Sequence, residues 1–558
     1  MKLISLLLVG LNALMFPAIA LAEFDRLENI SPSSIAQLEA EEDEEDKSKS
    51  KEEEEDEESE KANEPTPEEI ARLKKLATAD SLYLSGYKTD AVKLYRQAKD
   101  IWEIEQPGTK GDKEPVEIFD DPEQLSPAGK VFWRNYQKGK EQELESKIFS
   151  ALKLLTTREP EFISGHLHYA EMLQKYERET ESRQALDRAV SRYPNEPKLV
   201  KARIEAHTAA EEWLEASILA RQFSLFNPDL PEAKELEVLT EEYLAEYQSD
   251  LRSKIALSAI GNAIAGTVGF ALTGSLFGPL SALETTSMLL RGESAMGEVS
   301  VKQAKKQLPL IEDPKITEYV NEIGQKVAAQ SGRDDLKYEF LVIMDDSLNA
   351  FALPGGKIFV NAGAIMKTDS EAELAGLLAH EVSHAALSHG FQLVTQENLT
   401  ANIVSYIPYV GNAATSLIVM NYSRGMEKQA DIYGTRILVN SGYAADGVRN
   451  LMLKLHESHQ EDEDNSEPPE WLSSHPNSKE RVRYMEELIV DRNLNRFAYE
   501  GIARHQEAKY LVTEQWKKYD KCIEDGKIVT VEDARKCIPN RNKPEETEEE
   551  PDLNHEDN

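Results

Sequence analysis

Pro160, Pro194 and Pro228 stand 34 residues apart, and that interval limits what the chain between 64 and 250 can become. A segment that repeats on this period builds one helical hairpin per repeat. Proline cannot continue a helix, so each one marks the turn between successive hairpins. Within the period ending at Pro194, Ala170 and Ala189 supply small side chains where two helices must approach closely. Upstream, LYLSGYKTDAVKLYRQA (82–98) has the same form. Gly86 and Tyr87 mark its turn, and Ala91, Tyr95 and Ala98 share one helix face. Such hairpins bury their apolar faces by stacking, so the expectation is a short solenoid of three or four, interrupted by a loop-like stretch near 108–125. An irregular helical bundle is the competing arrangement. In the solenoid the concave face is a surface for binding another protein.

The period is that of the tetratricopeptide repeat. Flanking it are segments of different character. Met1 and Lys2 precede a mostly apolar run, Leu3 to Leu21, and Ala20-Leu21-Ala22 fits a small-x-small cleavage site. Residues 1–22 therefore read as a secretory signal, which implies an exported protein, periplasmic or secreted; an uncleaved anchor helix is the alternative. Segment 23–63 contains EEDEEDKSKSKEEEEDEESE, and the tail 541–558 is similarly acidic. These runs have nothing to bury and repel themselves, which predicts disorder. They account for much of the formal net charge of -38, and that charge opposes nucleic acid as a partner. Cys522 and Cys537 are the two cysteines of the chain. In an oxidising compartment they are expected to pair within the helical extension 511–540.

Residues 251–294 form an apolar Gly/Ala-rich segment whose stretch 255–283 carries no charge and includes Gly274 and Gly278. Its length suffices for a bilayer, which takes about 20 residues, but Ser258, Asn262, Thr267, Thr273 and Ser275 dilute it. A buried hairpin, a membrane-contacting segment and a true span compete, and membrane association rests on this choice. The second charge-free run, 398–423, is split by Pro408 and Gly411, which favours two packed helices.

From 295 to 510 the pattern is mixed. A helix is expected over 315–330, a strand over 338–344 and another over 357–361, after the turn Pro354-Gly355-Gly356. A further helix starts at Ser370, its N-cap, with Glu371 and Glu373 in the first turn. Inside it lies His380-Glu381-Val382-Ser383-His384. Residues four apart share a helix face, so both imidazoles reach one metal ion, and Glu381 is placed to take a proton from water. Two surface histidines on a structural helix are the plain alternative, since HExxH also arises by chance. Catalytic zinc needs a third protein ligand and one open position. The metzincin spacing asks for histidine six residues after His384; Gly390 stands there, and His389 reads as a helix-capping residue. A glutamate on a later helix is the other common solution. SRGMEKQAD (423–431) supplies Glu427 as that ligand, with Asp431 on the same face to accept a hydrogen bond from a ligand imidazole.

Four blocks then occur in order: Asn349-Ala350-Phe351-Ala352-Leu353-Pro354-Gly355-Gly356, AELAGLLAHEVSHAALSHG, SRGMEKQAD, and His475-Pro476 with Arg481 beyond. Together they make residues 295–505 resemble the gluzincin-type zinc metallopeptidases that include HtpX, the CAAX prenyl proteases and the Oma-type and BepA-type proteases. The resemblance implies a gluzincin fold for this part, so that, with the repeats read above, the chain is expected to be mainly α, a helical solenoid followed by a small α+β catalytic domain. It implies one Zn2+ held by His380, His384 and Glu427, with Glu381 as general base. It also implies an edge strand that holds extended substrate by backbone pairing, which makes Asn349, Gly355, Gly356, Lys357, Ile358 and Phe359 the substrate-binding candidates; a structural hairpin is the alternative. His475 would either fill the open zinc position and hold the enzyme latent or stabilise the oxyanion. Arg481 would position substrate or pair with a site carboxylate. The repeats make the chain similar to exported quality-control members, although in BepA-type proteins they follow the protease.

The reading that results is an exported zinc endopeptidase acting on protein substrates in envelope quality control, with the repeats holding clients or partners. A client-binding chaperone with a structural or latent metal site is the alternative, and the intact Glu381 counts against it. A membrane-embedded peptidase for lipidated substrates would need several strong spans.

Overall fold

A computed structural model of the chain describes residues 66–99, 117–260, 282–395, 403–406, 409–410, 413–414, 417–420, 422–461, 475 and 478–539. The expected signal sequence, both acidic runs and residues 261–281 of the charge-free segment lie outside the described residues. Among the described residues no helix is long and apolar enough to cross a membrane.

The first hairpin is α1 (Pro67–Leu84) and α2 (Lys88–Ala98). Thr66 and Glu69 form a capping box at its start, and Gly86 turns the chain at φ 86°, a conformation glycine adopts without strain. Three more hairpins follow: α3 (Pro127–Glu141) with α4 (Glu145–Arg158), α5 (Ile163–Lys175) with α6 (Glu179–Arg192), and α7 (Pro197–Ala209) with α8 (Trp213–Phe226). Each inter-helix turn holds one left-handed residue, Glu143, Glu177 or Glu211, at the same 34-residue interval as the prolines. The long α9 (Pro231–Ile260) packs on α8. The first hairpin is anchored elsewhere. Its apolar face meets Phe497 and Ile502, and the buried Asp80 carboxylate accepts from the amides of Glu500 (2.8 Å) and Ile502 (2.9 Å). Lys99 closes the joint with ion pairs to Asp446 and Glu500.

After α10 (Ala282–Gln307), which kinks at Gly292, and α11 (Pro314–Ala328), three strands form a sheet: β1 (Glu339–Ile343), β2 (Ala350–Leu353) and β3 (Lys357–Asn361). Their order is β1-β3-β2. Strand β1 pairs in parallel with β3, and β2 pairs antiparallel, with Ala352 opposite Ile358. This arrangement corrects the edge-strand placement expected for Lys357, Ile358 and Phe359. They lie on the central strand, whose backbone is paired on both sides, so the edge next to α13 belongs to β2. Gly355 and Gly356, both at φ 78°, also have a packing reason. A Cβ on Gly297 of α10 would lie 2.4 Å from the Pro354 carbonyl, and one on Gly355 would lie 2.8 Å from that of Glu293. The turn therefore sits on α10 through bare backbone.

Next come α12 (Ala362–Lys367), α13 (Glu371–Ala386) and α14 (His389–Thr395). Where two helices were expected across 398–423, the described backbone forms strands: β4 (Ile403–Tyr406) with β7 (Leu417–Met420), and β5 (Tyr409–Val410) with β6 (Ala413–Ala414). Absence of charge does not distinguish the two states, whereas the β-branched and aromatic content favours strand. The chain ends with α15 (Arg424–Asn440), α16 (Gly447–Glu461), α17 (Ser478–Asp491), α18 (Ile502–Glu524) and α19 (Val531–Cys537). A Cys522–Cys537 disulfide joins the last two.

Helix α13 is buried along its whole length. Ser370 caps it by accepting from the Glu373 amide, and the Ala372 amide is satisfied by the Glu500 carbonyl. Glycines let its neighbours approach. A Cβ on Gly376 would lie 2.7 Å from the Val448 amide of α16, and one on Gly434 of α15 would lie 3.1 Å from the His380 amide.

Candidate metal centre

Helix α13 presents His380 and His384 one turn apart, and their Nε2 atoms are 3.1 Å from each other. Ser423, accepting from the Met426 amide, starts α15 so that Glu427 in its first turn faces them. Glu427 lies 3.6 Å from His380 Nε2 and 3.5 Å from His384 Nε2. His475 completes the group: its Nδ1 is 2.8 Å from Glu427 and 3.4 Å from His380 Nε2. Donor atoms of all four residues lie within 4.8 Å of one another. Tetrahedral zinc with bonds of about 2.0–2.1 Å holds its ligand atoms roughly 3.3 Å apart, so the separations suit one ion.

Charge fits as well. Glu427 and Asp431 are buried carboxylates facing the buried guanidinium of Arg481. Burial opposes charge on His380, but Asp431 and Glu427 outweigh it and push that imidazole up to about 9, so a divalent cation would take the place of the His380 proton. Glu381 makes no side-chain hydrogen bond within 3.5 Å among the described residues; the Ala352 amide faces its carboxyl and His475 Nε2 lies 3.7 Å from it. Burial, aided by the charge on Glu427, pushes that carboxyl up to about 8 despite opposing attraction from His380. Burial also acts against ionisation of Glu427, but His475 and Arg481 outweigh it and hold the group well below the usual carboxylate range.

The surrounding contacts fix ring orientation. Asp431 is 3.1 Å from His380 Nδ1 and receives two hydrogen bonds from Arg481, at 2.8 and 2.7 Å. Tyr484 donates to the same carboxylate. Arg481 also reaches Glu427 at 3.0 Å and the His475 carbonyl at 3.2 Å. Of the two roles expected for Arg481, the structure shows the pairing with site carboxylates.

Two further contributors appear: His389, expected to cap the HExxH helix, and Tyr422, which sequence reasoning missed. His389 Nδ1 lies 3.1 Å from His384 Nδ1, and its Nε2 lies 3.1 Å from Gln429 Oε1. It therefore stands to His384 as Asp431 stands to His380. Its local signal was the left-handed Ser388 (φ 56°), which turns the chain back after α13 and is invisible in residue type alone. Tyr422 stacks on His384 with ring centroids 3.8 Å apart and donates to the Ala352 carbonyl of β2 at 3.4 Å. Nothing in the charge-free run singles it out. Asn349 is buried directly before β2, and its side-chain oxygen accepts no hydrogen bond from the described residues. His380, Glu381 and His384 are 0% exposed, His475 1% and Glu427 2%, so the centre is closed to solvent in this arrangement.

Residues 314–489 match the model of Peptidase family M48. The chain is 26% identical over 245 residues to the "Beta-barrel assembly-enhancing protease" of Yersinia pestis, covering 40% of this chain and 50% of that protein. The protein of the same name from Escherichia coli (strain K12) is 26% identical over 223 residues, with 36% and 45% covered. The "Mitochondrial metalloendopeptidase OMA1" of Schizosaccharomyces pombe is 28% identical over 216 residues, with 37% and 61% covered. The chain thus spans about half the length of the curated relatives it matches. The matched stretch runs from α11 into α17 and contains both donor helices together with His475, so this chain carries a Peptidase family M48 domain.

Proposed function

We propose that the chain is a zinc-dependent endopeptidase, and one observation carries the reading: His380, His384 and Glu427 converge at ligand spacing beside the buried Glu381. Zinc bound there supplies Lewis acidity, polarising a peptide carbonyl and making water acidic. The chain's own groups do the remainder. Glu381 takes the proton from the attacking water and returns it to the leaving amine, a task suited to a carboxyl raised toward neutrality. Asp431 and His389 hold the two imidazoles in the required tautomers. The β2 edge, from Ala350 to Leu353, pairs with an extended substrate.

The position of His475 favours the latent alternative over an oxyanion role. Four protein donors make a closed zinc site, whereas a working one keeps a position open. In this reading His475 gives up its position beside Glu427 and Tyr422 releases the Ala352 carbonyl before substrate enters. The repeated hairpins are assigned to holding protein clients or partners, and envelope protein quality control is assigned as the setting, supported by the relatives named for enhancing β-barrel assembly. Export through the N-terminal segment belongs to the same proposal. The chaperone alternative is disfavoured because a structural metal site has no use for Glu381.

Glu381→Gln tests the reading. The variant is expected to retain one zinc per chain and to cleave denatured casein at least a hundredfold more slowly than wild type, on the order of a lost general base. Undiminished cleavage would remove Glu381 from the mechanism.

A further inference from the structure

The last four carbonyls of a helix have no partner within it. At the end of α13, three residues beyond His384, two such acceptors are satisfied from outside. Arg333 donates to the Ala386 carbonyl at 2.8 Å, and its charge suits a helix C-terminus. The neighbouring Leu387 carbonyl accepts at 2.9 Å from Gln222 Nε2. Gln222 is a buried residue of α8, in the last of the repeated hairpins. The exchange runs in both directions. Arg436 lies on α15, the helix that carries Glu427, and donates to the last carbonyls of α8, Leu225 at 3.0 Å and Phe226 at 3.1 Å. Between these tethers Phe226 meets Tyr433 edge-on, with centroids 5.2 Å apart, and Tyr433 donates to the Ser331 carbonyl.

We infer that Gln222 and Arg436 are positioning residues through which the last repeat hairpin holds the two metal-ligand helices in register. The inference rests on the zinc reading above. Helix α8 touches one ligand helix through Gln222 and the other through Arg436, so it spans the pair. A shift of either helix moves His384 or Glu427 relative to its partner donors. Contacts that orient metal ligands from outside are worth about 10–100-fold in affinity, and these two act through helix ends one to three turns away, so the lower end applies.

The test uses the full chain with Gln222→Leu, Arg436→Met and the double variant. Zinc affinity is measured by chelator competition, and amide exchange across 380–387 is measured on metal-free protein. Either single variant is expected to bind zinc about tenfold more weakly and to exchange faster at the end of α13. The double variant should lose less than the two single losses combined, because both tethers serve one joint. Arg436→Lys keeps a donor at the α8 end and should recover most of the affinity; it also serves where Arg436→Met does not fold. Affinity within twofold of wild type together with unchanged exchange, in folded variants, would overturn the inference. Wild-type protein that takes up no zinc would instead refute the metal reading, and the exchange data on metal-free protein would still decide the role of the tethers.

Discussion

Asp431 shows how much one side chain carries at this centre. It touches His380, Arg481 and Tyr484 at once. Replacing it by asparagine removes the charge that Arg481 faces and the strong acceptor for the imidazole. The expected outcome is zinc affinity about 10–100-fold weaker and a stability loss of about 3–5 kcal/mol for breaking a buried ion pair, read by chelator competition and denaturant unfolding. A separate group sets acid sensitivity. His505 is fully buried between Tyr319 and Thr368, and burial lowers its pKa from 6.5 to about 3. Unfolding at acid pH therefore takes up a proton that the folded state excludes. Its contribution is intact above 6.5 and is lost as pH falls toward 3, about 2 kcal/mol by about pH 5. His505→Gln should narrow the stability gap to wild type by that amount between pH 7 and pH 5; a gap independent of pH would contradict the assignment. The sequence exposed Asp431 because it lies four residues from Glu427. It concealed His389 and Tyr422, whose partners are chosen by chain reversal and by a neighbouring strand.

At the scale of elements, local chemistry was readable wherever a cap or turn sets a boundary. Ser370 starts its helix by a side-chain hydrogen bond to the Glu373 amide, and Gly355-Gly356 fixes where β3 begins. Strand order was not readable: residues 357–361 look the same at an edge or a centre, and only the pairing of β1 moves them inside. Helix-to-helix distance was equally hidden. Gly434 lies against the Ala379–His380 backbone, yet in sequence it is one glycine in a helical run. Gly434→Ala should push α15 from α13 by a few tenths of an ångström, cost about 1–3 kcal/mol as overpacking, and weaken zinc binding beyond what the stability loss explains. Full zinc affinity in a destabilised variant would assign the glycine to packing alone.

Over the whole molecule, contacts far apart in sequence decide the assembly. The 34-residue interval pointed to the repeated hairpins, and the likeness of 82–98 to them grouped α1 and α2 in the same set, whereas Asp80 and Lys99 join that pair to Glu500, Ile502 and Asp446, next to the start of α13. Composition could not show this, since Asp80 looks like any helix-surface carboxylate until its partners are known. Asp80→Ala would leave two buried amides unpaired, at about 1–3 kcal/mol each. It should shift the unfolding of the peptidase region, read by exchange at 371–376, and not only that of the first hairpin. The organisation converges on one cation held between α13 and α15. Diffraction from crystals of the full chain, collected at the zinc absorption edge, is expected to give a single strong anomalous peak about 2.0–2.2 Å from His380 Nε2, His384 Nε2 and a Glu427 oxygen. No peak there, or a peak that leaves Glu427 outside bonding distance, would contradict it.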